Sequence, residues 1–166
     1  REFIMDIKIV IPTYKRPDNV LSLKEVAPEI QSKYYWLAVR EEELEEYKKN
    51  YPHVNYKVLP NVTDVRNTRQ RVNEVFDGTI LVIDDDVLFN HTYIDKDSKT
   101  KRDKQGGLIR IGKPITTMEE YDDMAQHIET YAKDYSFGGV ASIHYPKAAS
   151  WYPMKLNSPI IWAVWF

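Results

Sequence analysis

Three consecutive aspartates, Asp84, Asp85 and Asp86, follow the apolar run at residues 79–83. The aliphatic residues of that run predict a buried strand, so the three carboxylates would emerge together at one edge of a sheet. Adjacent carboxylates repel each other unless a cation neutralises them, and a hard divalent metal with oxygen ligands is the usual solution. The sequence therefore predicts a metal site at this strand end. A polar turn that only caps the strand is the alternative.

The chain before the aspartates alternates strand-like and helix-like segments. Strands are predicted at residues 7–11, 34–39, 56–59 and 79–83. Helices are predicted from Val20 to Glu25, ending near Pro28, from Glu41 to Lys49, and from a cap at Thr63 or Asp64 to about Phe76. Alternation with short links predicts an α/β fold, in which a mainly parallel, Rossmann-like sheet is flanked by helices.

Ligands of such sheets bind beyond the carboxyl ends of the strands. Three segments fall on that edge here, namely residues 12–17 after the first strand, residues 59–61 after the third, and the aspartates after the fourth. Their convergence favours a binding site. No phosphate-cradling glycine loop follows the first strand, which argues against dinucleotide and P-loop binding.

The second half of the chain carries weaker signals. Residues 95–104 are rich in charge and are followed by two glycines, which predicts a mobile loop or a solvated insertion. Thr117 and Glu120 have the spacing of a capping box, and a helix is predicted from there to about Tyr135. The aromatic segments at residues 151–153 and 160–166 favour buried strands over an acceptor groove.

Composition limits the class of protein. The chain has 166 residues, a net charge of −2 and no cysteine, so disulfides and thiolate sites are excluded. We expect one domain at residues 5–166, with residues 1–4 a cloning remnant. Because the sequence ends inside an apolar run, we also expect the domain to lack its C-terminal part. No membrane segment or signal peptide is visible, so a cytoplasmic location is expected, in the host cytoplasm if the protein is phage-encoded.

Three motifs in order carry a resemblance to a known family. Residues 9–17, IVIPTYKRP, resemble the opening strand of GT-A-fold glycosyltransferases, especially the family 2-like group. Val65-Arg66-Asn67 is similar to the Ala-Arg-Asn triplet that those enzymes carry on a helix, and residues 83–86 resemble their metal-binding Asp-x-Asp motif. The glycine-bearing segment at residues 137–143 resembles the strand that lines their sugar pocket.

The resemblance implies a nucleoside diphosphate sugar as donor and Mn²⁺ or Mg²⁺ as cofactor. Asp86 would hold the metal and Asp84 the metal or the ribose, so that the departing diphosphate is stabilised. Tyr14 would stack on the base and Arg16 would meet phosphate. Arg69 and Arg71 are expected on a solvated helix face. The full set of implied donor-binding residues is Pro12, Thr13, Tyr14, Arg16, Arg66, Asn67, Asp84, Asp85, Gly138 and Gly139.

His144 follows the glycine-bearing segment and is a candidate metal ligand, with a structural imidazole as the alternative. His91 is expected in the loop that leaves the aspartates. Beyond Ser142 the sequence has no aspartate or glutamate, so the general base of an inverting enzyme is not identified and a retaining reaction stays open.

The acceptor is suggested by size and layout. A compact, cysteine-free domain with a basic loop is similar to the small phage enzymes that glycosylate hydroxymethylated bases in DNA, including the TET-associated glycosyltransferases. Two rival interpretations remain: a non-catalytic nucleotide-sugar-binding relic, and a haloacid-dehalogenase-like phosphatase in which Asp84 would be the nucleophile.

Overall fold

The computed structural model of the protein describes residues 7–94, 110–133, 138–140 and 163–165. The predictions for His144, the loop at residues 95–104 and the segment at residues 151–153 lie outside these ranges. The strands are β1 (Lys8–Pro12), β2 (Tyr35–Val39), β3 (Asn55–Val58), β4 (Ile80–Ile83), β5 (Asn90–Ile94), β6 (Arg110–Pro114), β7 (Gly138–Val140) and β8 (Ala163–Trp165). The α-helices are α1 (Pro28–Tyr34), α2 (Leu44–Asn50), α3 (Val65–Val75) and α4 (Met118–Ala132).

Six strands form one sheet in the order β3-β2-β1-β4-β8-β7. The first four are parallel to one another, β8 runs antiparallel to β4, and β7 runs antiparallel to β8. The predicted α/β fold with a mainly parallel, Rossmann-like sheet is therefore confirmed. β5 and β6 form a separate antiparallel pair.

The central strands are apolar throughout because both faces of the sheet are covered. Ile9 and Ile11 of β1 pack in a cluster with residues of α1, α2 and α4, whereas Val10 points to the opposite face and packs with Val72 of α3. Alternate residues of a strand point to opposite faces, so a parallel strand between two helical layers needs an uninterrupted apolar run. This arrangement leaves only the strand ends for polar chemistry.

The helix prediction that ended near Pro28 was wrong. Residues 21–23 form a 3₁₀ turn, and an α-helix begins at Pro28 where the prediction expected one to end. Proline suits the first position of a helix, because the amide that it lacks has no partner there and its φ is already helical. The predicted helix from Glu41 also divides, into a 3₁₀ turn at residues 41–43 and then α2.

The helix starts that rest on capping chemistry are confirmed. The carboxylate of Asp64 accepts a hydrogen bond from the Asn67 amide at 2.8 Å, and Thr117 and Glu120 form the reciprocal bonds of a capping box. His91, in contrast, lies in β5 and not in a loop. Within the described ranges, no helix is both long and apolar enough to cross a membrane.

Candidate functional site

A cavity of about 410 Å³ opens where the parallel strands end. That volume lies within the range of small-molecule sites, roughly 300–1,000 Å³. Its walls come from the segments that follow β1, β2, β3 and β4 and from the first turns of α3. The lining residues are Pro12, Thr13, Tyr14, Arg16, Ala38, Val39, Arg40, Leu59, Val62, Thr68, Arg69, Val82, Asp84, Asp85 and Asp86.

Seven of the residues singled out by sequence line this cavity, namely Pro12, Thr13, Tyr14, Arg16, Asp84, Asp85 and Asp86. Asn67 does not, because its side chain accepts a bond from the Thr63 amide and so completes the cap of α3. Gly138 and Gly139 lie in β7 opposite Trp165 and Val164 of β8. The side chain of Arg66 and all of His144 lie outside the described part of the structure.

The carboxylate of Asp85 is directed at the segment after β1. Its Oδ1 pairs with Arg16 Nη1 at 2.9 Å, and its Oδ2 lies 3.4 Å from the Thr13 hydroxyl. The Asp85 side chain is only 12% exposed. Asp85 therefore links residues 13–16 to the aspartate-bearing turn through these contacts. The negative charge of Asp85 is balanced by the guanidinium of Arg16.

Asp84 and Asp86 are more open to the cavity. Asp84 Oδ1 lies 3.7 Å from Arg69 Nη2, with the side chains 51% and 61% exposed respectively. Burial raises the pKa of Asp84; Arg69 opposes this rise, and the neighbouring charges of Asp86 and Asp85 add to it. Asp86 is exposed and forms no ion pair with any described residue. Asp86 and the loosely paired Asp84 are therefore more accessible from the cavity than Asp85.

The segment after β1 is held in one conformation by buried partners. Tyr47 Oη shares a 3.0 Å hydrogen bond with the Thr13 hydroxyl and accepts one from the Arg16 amide at 3.1 Å. Burial raises the pKa of Tyr47, so the phenol stays protonated. Between them, Lys15 adopts a φ of 55°, and its amide donates to Glu43 Oε1 at 2.7 Å. A lysine in the left-handed region is uncommon, and these bonds stabilise it.

One wall of the cavity is aromatic and cationic. The guanidinium carbon of Arg40 lies 3.7 Å from the centroid of the Tyr14 ring, and Lys15 Nζ lies 5.0 Å from the same centroid. The Nε atom of Arg40 is buried and has no hydrogen-bond partner among the described residues. Tyr14 is 42% exposed, and the apolar side chains of Leu59 and Val62 line the same cavity. Arg40 Nη1 also lies 4.0 Å from Glu42 Oε1, so this wall combines an aromatic ring with a guanidinium whose charge is partly matched.

Arg40 and Arg69 were missed by the sequence reasoning as cavity residues. Arg69 was expected on a solvated face, but α3 begins beside the sheet edge, so its first turns face the cavity. Arg71, two residues on, instead pairs with Glu74 of the same helix. The sequence could have indicated Arg40, because this residue directly follows β2 and ligands of parallel sheets bind beyond the carboxyl end of every strand.

The donor set fits a hard divalent cation. No three His, Cys, Asp or Glu side chains within the described ranges converge as a complete ligand group. Asp85 is turned toward Arg16, which leaves Asp84 and Asp86. Magnesium commonly binds through one or two carboxylates together with substrate phosphates and water, so two exposed aspartates are a sufficient protein contribution.

A comparison with known protein families identifies a match. Residues 7–158 match the family model described as TET-Associated Glycosyltransferase. That match spans β1 to β7 and includes every residue that lines the cavity. No curated protein matches the chain.

Proposed function

The chain belongs to the TET-associated glycosyltransferase family, and from that premise we propose that it transfers a sugar from a nucleoside diphosphate sugar to a hydroxymethylated base in DNA. The observation that carries the proposal is that one cavity is lined both by the carboxylates of Asp84 and Asp86 and by the stacked side chains of Tyr14 and Arg40. A nucleoside diphosphate has the matching halves, a flat base and a charged diphosphate.

Charge balance supports a diphosphate donor with a divalent cation. Arg16, Arg40 and Arg69 oppose the three aspartates, so the titratable groups of the lining are formally neutral. A diphosphate diester carries two negative charges and the cation two positive charges, so the pair can enter without leaving net charge in the cavity. Arg69, which is exposed and only loosely paired with Asp84, would donate to a phosphate oxygen of the donor.

The base would rest at the other end of the cavity. Tyr14 presents one ring face to Arg40 at 3.7 Å, and Leu59 and Val62 supply apolar surface to the same cavity. Stacking of a base on an aromatic or guanidinium plane contributes about 1–3 kcal/mol. Any base has such a face, so this wall supports nucleotide binding without selecting the base.

Asp84 and Asp86 are the residues that would hold Mn²⁺ or Mg²⁺. When bound, the cation supplies Lewis-acid stabilisation of the charge that develops on the departing diphosphate. In the transfer, the bond between the sugar carbon and the diphosphate oxygen breaks, a bond to the acceptor hydroxyl oxygen forms, and the nucleoside diphosphate and the acceptor's proton are released. The protein's own part is to orient the donor through Arg16, Arg69 and Tyr14.

A thermal-shift screen of nucleoside diphosphates and their sugars, with and without Mn²⁺, tests the donor and the metal. A ligand at a hundredfold excess over its dissociation constant stabilises the native state by about 2.7 kcal/mol. We expect a Mn²⁺-dependent shift that is lost in Asp86→Ala. A shift of the same size without metal would contradict the role of Asp86.

The acceptor is tested separately, with the nucleotide sugar that gives the largest shift. DNA containing 5-hydroxymethyl groups on its pyrimidines is incubated with protein and donor, and its mass is compared with that of unmodified DNA treated in the same way. Addition of a sugar mass only to the hydroxymethylated DNA is the expected result. Release of phosphate from a simple phosphate monoester, without any nucleotide, would instead favour the phosphatase interpretation.

A further inference from the structure

The aspartate-bearing turn, residues 84–87, is held by a serine that lies outside the cavity. Ser22 is 1% exposed and belongs to the 3₁₀ turn at residues 21–23. Its hydroxyl donates to the Asp84 carbonyl oxygen at 2.9 Å and accepts from the Val87 amide at 2.8 Å. Its own amide donates to the Asp85 carbonyl oxygen at 2.9 Å. One residue thus contacts the backbone of the turn at three points.

The Ser22 hydroxyl supplements a weak backbone hydrogen bond within the turn. The direct contact from the Val87 amide to the Asp84 carbonyl is 3.4 Å long, near the limit for a hydrogen bond. The Ser22 hydroxyl bridges the same two groups at shorter distances and so keeps the turn slightly open. Without the hydroxyl, the turn would either close onto its own bond or leave two polar groups unpaired. Both changes would move Asp85 and Asp86, which lie between the two ends.

We propose that Ser22 is a positioning residue that sets the spacing of the Asp84 and Asp86 carboxylates for a divalent cation, an inference that rests on the metal-assisted function proposed above. Cation ligands must be held to within about 0.5 Å of the productive geometry by the groups that support them. Ser22 touches no lining side chain in the described hydrogen bonds, and it acts through the backbone to which the ligands are attached. Loss of such supporting partners costs about tenfold to a hundredfold in metal affinity.

The test compares Mn²⁺ affinity and local hydrogen exchange in Ser22→Ala and a matched serine variant, Ser32→Ala. The Ser32 hydroxyl lies 3.0 Å from the Pro28 carbonyl oxygen and 2.9 Å from that of His53, so it also bonds backbone but not the turn. We expect Mn²⁺ binding, measured by the free-ion signal in electron paramagnetic resonance, to weaken about tenfold or more in Ser22→Ala only. The Val87 amide should exchange about tenfold faster in that variant, while the amides of β1 stay unchanged.

The pair Ser22→Thr and Ser22→Val separates the hydroxyl from side-chain volume, and it decides the matter if Ser22→Ala does not fold. The two side chains have nearly the same shape, so only the threonine variant should retain wild-type Mn²⁺ affinity. Equal affinity in the two, or wild-type affinity and exchange in Ser22→Ala, would overturn the inference. Absence of Mn²⁺ binding by the wild-type protein, both alone and in the presence of a nucleoside diphosphate, would refute the metal-assisted function instead, and exchange of the turn amides would still test whether Ser22 holds the turn.

Discussion

Replacing Arg69 with methionine should separate stability from donor binding. The substitution keeps an unbranched side chain of good helix propensity and removes the charge. Arg69 Nη2 lies 3.7 Å from Asp84 Oδ1, at which distance two unit charges in water interact by about 1 kcal/mol. Both side chains are more than half exposed, and such pairs contribute roughly 0–1 kcal/mol. The free energy of unfolding should therefore change by about 1 kcal/mol at most.

The expected loss of donor affinity is larger. If Arg69 donates a charge-assisted hydrogen bond to the diphosphate, its removal costs about 1.5–3 kcal/mol, a weakening of roughly tenfold to more than a hundredfold. Isothermal titration calorimetry with a nucleoside diphosphate and Mn²⁺ measures that affinity, and urea denaturation measures stability.

A matched control is available on the same helix. Arg71 pairs with Glu74 and does not line the cavity, so Arg71→Met should leave nucleotide affinity within about twofold of the wild type. If Arg69→Met binds the nucleotide as tightly as the wild-type protein, Arg69 does not contact the diphosphate. An equal loss in both variants would point to a general electrostatic effect of the helix.

Three further predictions concern the cavity and its support. Folding raises the pKa of Asp84, so ionisation of this side chain opposes folding. The protonated form therefore contributes stability at low pH, and that contribution is lost as the pH rises through the folded-state pKa. Asp84→Asn should raise the melting temperature at pH 7 and have little effect at pH values below the usual pKa of aspartate. Equal effects at both pH values would contradict this sign. Tyr47→Phe should destabilise the protein by about 1–3 kcal/mol in urea denaturation, because the Arg16 amide loses its acceptor. Tyr14→Ala should weaken binding of a nucleoside diphosphate by about 1–3 kcal/mol and leave affinity for inorganic diphosphate unchanged, and equal losses for both ligands would place the base elsewhere.

Local sequence patterns were enough to predict the main strands, two helix starts and the position of the cavity. The apolar runs of β1 and β4 predicted strands, and the alternation of strands with helices predicted a mainly parallel sheet with helices on its faces. Asp64 and the pair Thr117 and Glu120 predicted two helix starts, because a capping bond joins residues only three positions apart. Because ligands of parallel sheets bind beyond the carboxyl ends of the strands, residues 12–17 and the aspartates were predicted to lie close together. Residues of both segments line the cavity, which confirms that prediction.

Tertiary structure decided which side chains meet. The charge of Asp85 is matched by Arg16, 69 positions away, and the turn that follows β4 is held by Ser22, 62 positions before Asp84. No local pattern distinguishes Arg69, which lines the cavity, from Arg71, which does not. Strand order and helix orientation determine these contacts, and both depend on how the whole core packs. The sequence by itself therefore determined the fold class and the family, whereas only the packed structure decided which aspartate pairs with Arg16 and which two are more exposed to the cavity.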